Sequence, residues 1–140
     1  MDITFGNKIS VEEFHHFRKT VGWKPISDKH ALNSINNAAF LVTAVVDNKT
    51  IGLTRVGSDG GYYIFITDVI VLPEYRNKGI AKQLMAKAME FINEKYVGKG
   101  ESVVVNLMAG KNLEPFYAQF GFLERPNETF GAGMYQWIIK

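Results

Sequence analysis

The sequence predicts one α/β domain spanning residues 1–140, with a central mixed β-sheet flanked by helices. Segments with apolar residues at helical spacing alternate with segments rich in β-branched residues. Glycine, proline and asparagine separate these segments, and no linker or low-complexity tract interrupts them. The length fits a single core of ordinary size.

The first two elements after a short apolar start are predicted to be helices. Ser10 and Glu13 have the spacing of a capping box, so a helix begins there, and Gly22 ends it. A second helix starts at residues 27–28 and ends near Asn36. The first helix has one apolar stripe, formed by Val11, Phe14, Phe17 and Val21.

Three strands are predicted next. Residues 40–46 and 51–56 are rich in β-branched types and are joined by residues 47–50, whose composition suits a hairpin turn. A second turn at residues 58–61 leads into residues 62–72, which are almost continuously apolar. The third strand is therefore expected in the middle of the sheet, buried on both faces.

The strongest helical periodicity begins at Gly79 and ends at residues 98–100. A short helix over residues 113–120 is predicted to have Asn112 as its cap and Gly121 as its stop. The remaining elements are three strands, at residues 103–108, 122–125 and 134–139.

Composition excludes several kinds of site. The formal net charge is +2, too small for the cationic surface of sequence-independent nucleic-acid binding, so no nucleic acid is expected. With no cysteine, thiolate chemistry and cysteine-based metal sites are absent, and the three histidines have no metal-pair spacing, so no metal is expected. The chain starts without a signal peptide, and its longest apolar run is half a membrane span. We expect a soluble cytoplasmic protein with no membrane partner.

A candidate anion site lies where the third strand passes through a proline turn into the long helix. The first turn of a helix has free N–H groups, and Gly79 lets the backbone approach a ligand. Arg76 and Lys78 add full charges beside it. The glycine spacing is neither that of a nucleoside-triphosphate loop nor that of a dinucleotide fingerprint.

Two segments resemble the GCN5-related N-acetyltransferase (GNAT) family. Its acetyl-CoA signature, [RQ]-x-x-G-x-[GA], is matched by Arg76-Asn77-Lys78-Gly79-Ile80-Ala81. Its F-Y-x-x-x-G-F segment is similar to Phe116-Tyr117-Ala118-Gln119-Phe120-Gly121-Phe122, and the order of strands and helices also agrees. The resemblance covers nearly the whole chain and implies a GNAT-like fold.

The resemblance also implies an activity, the transfer of acetyl from acetyl-CoA to a primary amine, expected to be small, by direct attack. Tyr117 would then protonate the departing thiolate, and residues 76–81 would wrap the pyrophosphate. Backbone groups that would contact the pantetheine arm belong to Val69, Ile70 and Val71. The match departs from the family at Gly110, where many members have asparagine, and at Leu113, where they have alanine, which puts pantetheine contacts there in doubt.

Asp68 is a tentative catalytic residue, because a carboxylate inside an apolar strand has either a partner or a function. It is predicted to bind the acceptor or relay a proton through water, or else to make a structural hydrogen bond. Thr67 is a competing site for holding a water. Trp23 either forms the floor of the acceptor pocket or packs in the core.

Two other functions stay open on the sequence alone. One is a non-catalytic acyl-CoA-binding or regulatory domain of the same fold, which would not need Tyr117. The other is an acetyltransferase acting on a protein or tRNA, which would need a basic groove that a net charge of +2 does not indicate. A homodimer is compatible with the sequence.

Overall fold

The computed structural model describes all 140 residues, which form two compact units, residues 1–106 and 107–140. The first unit contains five strands and three helices, with a short 3-10 turn at Pro73–Tyr75. The strands are β1 (Thr4–Gly6), β2 (Phe40–Val46), β3 (Lys49–Ser58), β4 (Tyr63–Val71) and β5 (Val104–Asn106). The helices are α1 (Val11–Thr20), α2 (Asp28–Asn36) and α3 (Ile80–Tyr96).

The five strands form one mixed sheet in the order β1-β2-β3-β4-β5. The strands β1 to β4 pair with one another in antiparallel fashion. Strand β5 runs parallel to β4 and pairs only with the first three residues of β4, Tyr63 to Phe65. The predicted mixed sheet flanked by helices is therefore confirmed.

The predicted position of β4 is partly wrong. β3, not β4, is the middle strand, and β4 lies between β3 and β5. Ile64 and Ile66 are buried, but Tyr63 and Phe65 on the opposite face are exposed. An apolar run does not reveal this difference, because aromatic and aliphatic residues continue the pattern on the uncovered face.

Local signals place the first two helices and the hairpin. Ser10 and Glu13 form the predicted capping box, and the Ser27 hydroxyl accepts the N–H of His30 at the start of α2. The hairpin turn is tighter than predicted, with Asp47 and Asn48 as its two central residues, both at positive φ. Such a turn matches the twist of the flanking strands.

The core of this unit lies between the sheet and its helices. α3 packs against β2, β3 and β4, while α1 contacts α2 and β4. An added Cβ at Gly52 would lie 3.0 Å from a Leu84 methyl group, so this glycine lets α3 approach the sheet closely. Fully buried side chains of this core include Phe14, Phe17, Leu53, Ile70 and Leu84.

The second unit contains one short helix, α4 (Glu114–Ala118), followed by Gly121 at positive φ. The strands predicted at residues 122–125 and 134–139 are absent, and many of their apolar side chains are exposed. An alternating pattern becomes a strand only when a partner completes its hydrogen-bond ladder, and these two segments do not pair. No helix of the chain is both long and apolar enough to cross a membrane.

Asn112 is not the predicted cap of α4. The cap position belongs to Leu113, and no side chain accepts a hydrogen bond there. Instead, Asn112 lies at positive φ inside a turn closed by the bond from Leu113 N–H to the Gly110 carbonyl (2.9 Å). Asparagine tolerates this left-handed conformation, which explains its presence without a capping role.

Candidate functional site

The N-terminus of α3 presents backbone donors to solvent. Gly79 is the cap residue and supplies no side-chain acceptor, and the first backbone bond of the helix runs from Gln83 N–H to the Gly79 carbonyl (3.2 Å). The N–H groups of the first turn therefore have no partner within the helix. Their positions and the helix dipole favour an anion there.

Gly79 is required here by its conformation rather than by crowding. Its φ is 78°, in the left-handed region, and an added Cβ would meet no atom within 4 Å. Asn77, two residues earlier, also has positive φ (62°). Left-handed residues in a turn aim successive N–H groups into one concavity, which suits phosphate oxygens.

The Arg76 side chain makes one hydrogen bond within the chain. Its Nε donates to the carbonyl of Val71 (2.9 Å), which ties the basic turn to the end of β4. Lys78 and Asn77 are exposed beside it. The turn thus fits a diphosphate group, with backbone donors at its centre and two cations at its rim.

The end of β4 leaves backbone groups without a strand partner. Leu72 N–H donates to the Ile51 carbonyl (2.9 Å), so the adjacent Gly52–Val71 pair is of the non-hydrogen-bonded kind. Val71 therefore directs its N–H and C=O away from β3, on the side where β5 does not reach. By alternation, the backbone of Ile70 faces β3, unlike that of Val71.

A bulge in β4 sets the position of Asp68. Between the Leu53–Ile70 and Arg55–Thr67 pairs, β4 has one residue more than β3. Asp68 has a φ of 58°, as expected of a residue that absorbs such an insertion. Its side chain is buried, on the same face as Ile66 and Ile70, and reaches Arg55 on β3.

Asp68 belongs to a cluster of three charged side chains. The Nε of Arg55 donates to one carboxylate oxygen, and Nη1 of Arg18 lies 3.9 Å from the other. Arg55 also donates to the carbonyl of Ser34 on α2 (2.9 Å). The carboxylate thus links β4 to β3 directly, and through the arginines to α1 and α2.

Sequence reasoning found Asp68 but missed its two arginines. Arg18 is 50 positions away from Asp68 and reads as a surface residue of an amphipathic helix. Arg55 could have been detected from the sequence. It lies two residues after buried Leu53 in β3, so both side chains are on the same face of the strand, and a buried cation needs an anion as its partner. Trp23 is half-exposed, and the guanidinium of Arg18 lies 5.5 Å from its ring centre.

Tyr117 lies in α4 of the second unit, with its ring edge-on to the rings of Phe116 and Phe122. The residue is 8% exposed, and burial raises the pKa of its hydroxyl. Tyr117 is therefore a protonated donor at neutral pH.

Comparisons with known proteins agree with this geometry. The family model for an acetyltransferase (GNAT) domain matches residues 7–136. A probable acetyltransferase of unknown function from meticillin-resistant Staphylococcus aureus is 31% identical, with a TM-score of 0.83 over 98% of both chains.

Two further relatives are more distant. The uncharacterized N-acetyltransferase ycf52 of Pyropia yezoensis is 21% identical over 95% of this chain and 76% of its own length. A predicted acetyltransferase from Clostridium acetobutylicum, in a crystal structure with acetyl-CoA, is 19% identical, with a TM-score of 0.67 over 94% of this chain and 96% of its own.

Proposed function

Because the chain belongs to the GNAT family of N-acetyltransferases, we propose that it transfers acetyl from acetyl-CoA to a primary amine on a small acceptor. The observation that carries this proposal is the uncapped start of α3. Its free N–H groups follow a left-handed turn and stand beside Arg76 and Lys78. A structural neighbour with acetyl-CoA supports the same ligand for this fold.

Residues 76–81 would hold the pyrophosphate. Charge-assisted hydrogen bonds from backbone N–H groups to an anion are roughly twice as strong as neutral ones. Gly79 and Asn77 set the direction of these donors, and Lys78 contributes a point charge. The first turn of α3 also includes Ile80 and Ala81, whose N–H groups are among the free donors.

The end of β4 would hold the amide-bearing arm of the ligand. An amide-containing ligand pairs with an open strand edge as a further strand would. Val71 directs both backbone groups to that side, although its carbonyl already accepts from Arg76. Its N–H is therefore the donor we assign to the acetyl carbonyl oxygen, where negative charge develops during acyl transfer.

Bound acetyl-CoA supplies an activated acetyl thioester, so this chain needs no nucleophile of its own. Tyr117 is the proposed general acid for the leaving thiolate. Burial raises its pKa above the ordinary value of 10.0, so the hydroxyl retains its proton at neutral pH. A thiol has a pKa near 8.5, so the leaving group needs only partial help from an acid.

The acceptor must attack as a free amine. Two routes for its proton stay open: direct loss to solvent, or relay through water held near Asp68 or Thr67. The contacts of Asp68 with Arg18 and Arg55 support a positioning role, and the Thr67 carbonyl already accepts from the Thr54 hydroxyl (3.2 Å). We therefore propose loss to solvent. A cytoplasmic location and a homodimer stay predictions.

Release of free thiol from acetyl-CoA in the presence of a panel of primary amines tests the proposal. We expect thiol release that depends on the amine, together with an acetylated product seen by mass spectrometry. CoA binding with no turnover on any amine would instead favour the non-catalytic binding domain. Turnover only on a protein or tRNA would contradict the small acceptor.

A further inference from the structure

The cluster of Arg18, Arg55 and Asp68 carries a net positive charge in a largely buried place. Two guanidinium groups face one carboxylate, and no other carboxylate lies within 4 Å of either arginine. The side chains are 14%, 16% and 2% exposed, in the order Arg18, Arg55, Asp68. A charge withdrawn from water is costly unless an opposite charge or hydrogen bonds compensate it.

Internal hydrogen bonds satisfy only part of the two guanidinium groups. Arg55 uses Nε for Asp68 and Nη1 for Ser34, while Arg18 uses Nη2 for the Lys24 carbonyl (2.7 Å). Besides these two bonds, the Arg55 guanidinium lies 5.5 Å from the centre of the Phe14 ring, and its hydrogen bonds use only Nε and Nη1. The Arg55 side chain is 16% exposed, so part of it contacts solvent.

The cluster also lies close to the proposed reaction centre along the strand. Asp68 precedes Val71 by three residues, a distance of roughly 10 Å at the usual strand rise. Trp23, half-exposed beside Arg18, belongs to the loop between α1 and α2. An acceptor whose amine is near Val71 therefore has the arginines within reach of its far end.

We propose that the acceptor carries a carboxylate that pairs with Arg18 and Arg55, several bonds away from the amine that is acetylated. The substrate class is thus an amine with an anionic far end, such as an ω-amino acid. This inference rests on the proposed acetyltransferase function and narrows its acceptor. Forked N–H donors of arginine suit a carboxylate, and its charge would balance the cluster.

A purely structural cluster makes a different prediction. If the arginines only tie β4 to α1 and α2, changing them alters stability or turnover equally for every amine. If they bind the acceptor, the change depends on whether the amine carries a carboxylate. Matched pairs of amines separate the two roles.

The experiment compares ω-amino acids from glycine and β-alanine up to ε-aminocaproate with their amides and with diamines of equal length. We expect thiol release with a KM for the longer acids at least about tenfold below that for their amides, as a charged hydrogen bond predicts. Equal or better turnover of amides or diamines would contradict the proposed carboxylate on the acceptor but would not contradict the proposed acetyltransferase activity. No turnover with any amine would overturn both.

Arg18→Gln is the diagnostic variant, and Lys19→Gln is its matched control, because Lys19 is an exposed cation at the next position of α1. Arg18→Gln should raise the KM of the acid about tenfold or more and leave that of the amide unchanged. Lys19→Gln should move neither. Arg55→Lys, which keeps a cation beside Asp68 but loses the fork, provides a second variant with the same expected pattern. An equal change for acid and amide in both variants would reduce the cluster to a structural role.

Discussion

Tyr117 is the residue whose protonation the account depends on most. Burial raises its pKa from the ordinary value of 10.0, so the hydroxyl stays protonated below pH 10. An acceptor ammonium with a pKa near 10.4 is almost fully protonated at pH 7, so turnover should rise about tenfold per pH unit from pH 7 to 9. A pH–rate profile with a falling limb below pH 10 that Tyr117→Phe removes would contradict this assignment.

The same shift has a consequence for stability. Because the pKa of Tyr117 is higher in the folded than in the unfolded protein, its contribution to the free energy of unfolding is fully present below the unfolded pKa. This contribution is lost as pH rises through the folded pKa. Unfolding midpoints measured on either side of pH 10 should fall less steeply with pH in Tyr117→Phe than in the native protein.

Replacing Tyr117 by phenylalanine tests its role as a general acid. We expect turnover to drop about 10²-fold, the low end for acid catalysis, because the thiolate is already a tolerable leaving group. CoA affinity measured by calorimetry should be unchanged. Tyr135→Phe, at an exposed position of the same unit, is the control and should change neither value. Full activity of Tyr117→Phe would make Tyr117 a core aromatic residue.

Thr43 contains the one sealed polar atom without a partner. Its hydroxyl oxygen is buried in β2 and makes no hydrogen bond. Thr43→Val keeps the branched shape and removes the unpaired group, so we expect a gain of about 1 kcal/mol or more in the free energy of unfolding. The control is Thr54→Val, which removes a hydroxyl bonded to the Thr67 carbonyl and should destabilise by about 1 kcal/mol. Urea unfolding of both variants measures these changes. A change of the same sign in the free energy of unfolding of both variants would contradict the prediction.

At the scale of elements, short-range chemistry predicted most of the fold. The caps at Ser10 and Ser27 depend on side chains within three residues of the backbone groups they bind. Sheet order and the bulge at Asp68 depend on pairing between distant segments, which a local pattern does not encode. The missing strands at residues 122–125 and 134–139 have the same origin, since a strand exists only with its partner.

Asp68 connects several elements, so its substitution is expected to act on stability first. Asp68→Asn leaves two arginines without their carboxylate, and breaking such a buried pair costs about 3–5 kcal/mol. The control is Asp28→Asn, which removes the carboxylate in contact with His15; the Asp28 side chain is 87% exposed, so the change should cost about 0–1 kcal/mol. We expect no change in the shape of the pH–rate profile. A stable Asp68→Asn protein with a flattened rising limb would restore the predicted proton relay.

For the molecule as a whole, the turn at residues 76–81 is the part of the proposed site that the sequence alone indicates most directly. Residues 76–81 are contiguous, and their chemistry follows from a strand entering a helix through glycine. The pairing of Arg18 and Arg55 with Asp68 could not be predicted, because three separate elements bring these side chains together. The proposed acceptor contacts therefore depend on tertiary structure, whereas the proposed pyrophosphate contacts come from one contiguous segment.

Calorimetric titration of CoA into Gly79→Val and Gly60→Val tests most directly whether the turn at the start of α3 binds CoA. Both glycines have positive φ and open space around the missing Cβ, so both variants carry a similar backbone strain, about 1–3 kcal/mol. Only Gly79 sets the donors at the start of α3. We expect Gly60→Val to bind CoA like the native protein, whereas folded Gly79→Val should show no measurable binding. Unchanged CoA affinity in folded Gly79→Val would contradict this prediction.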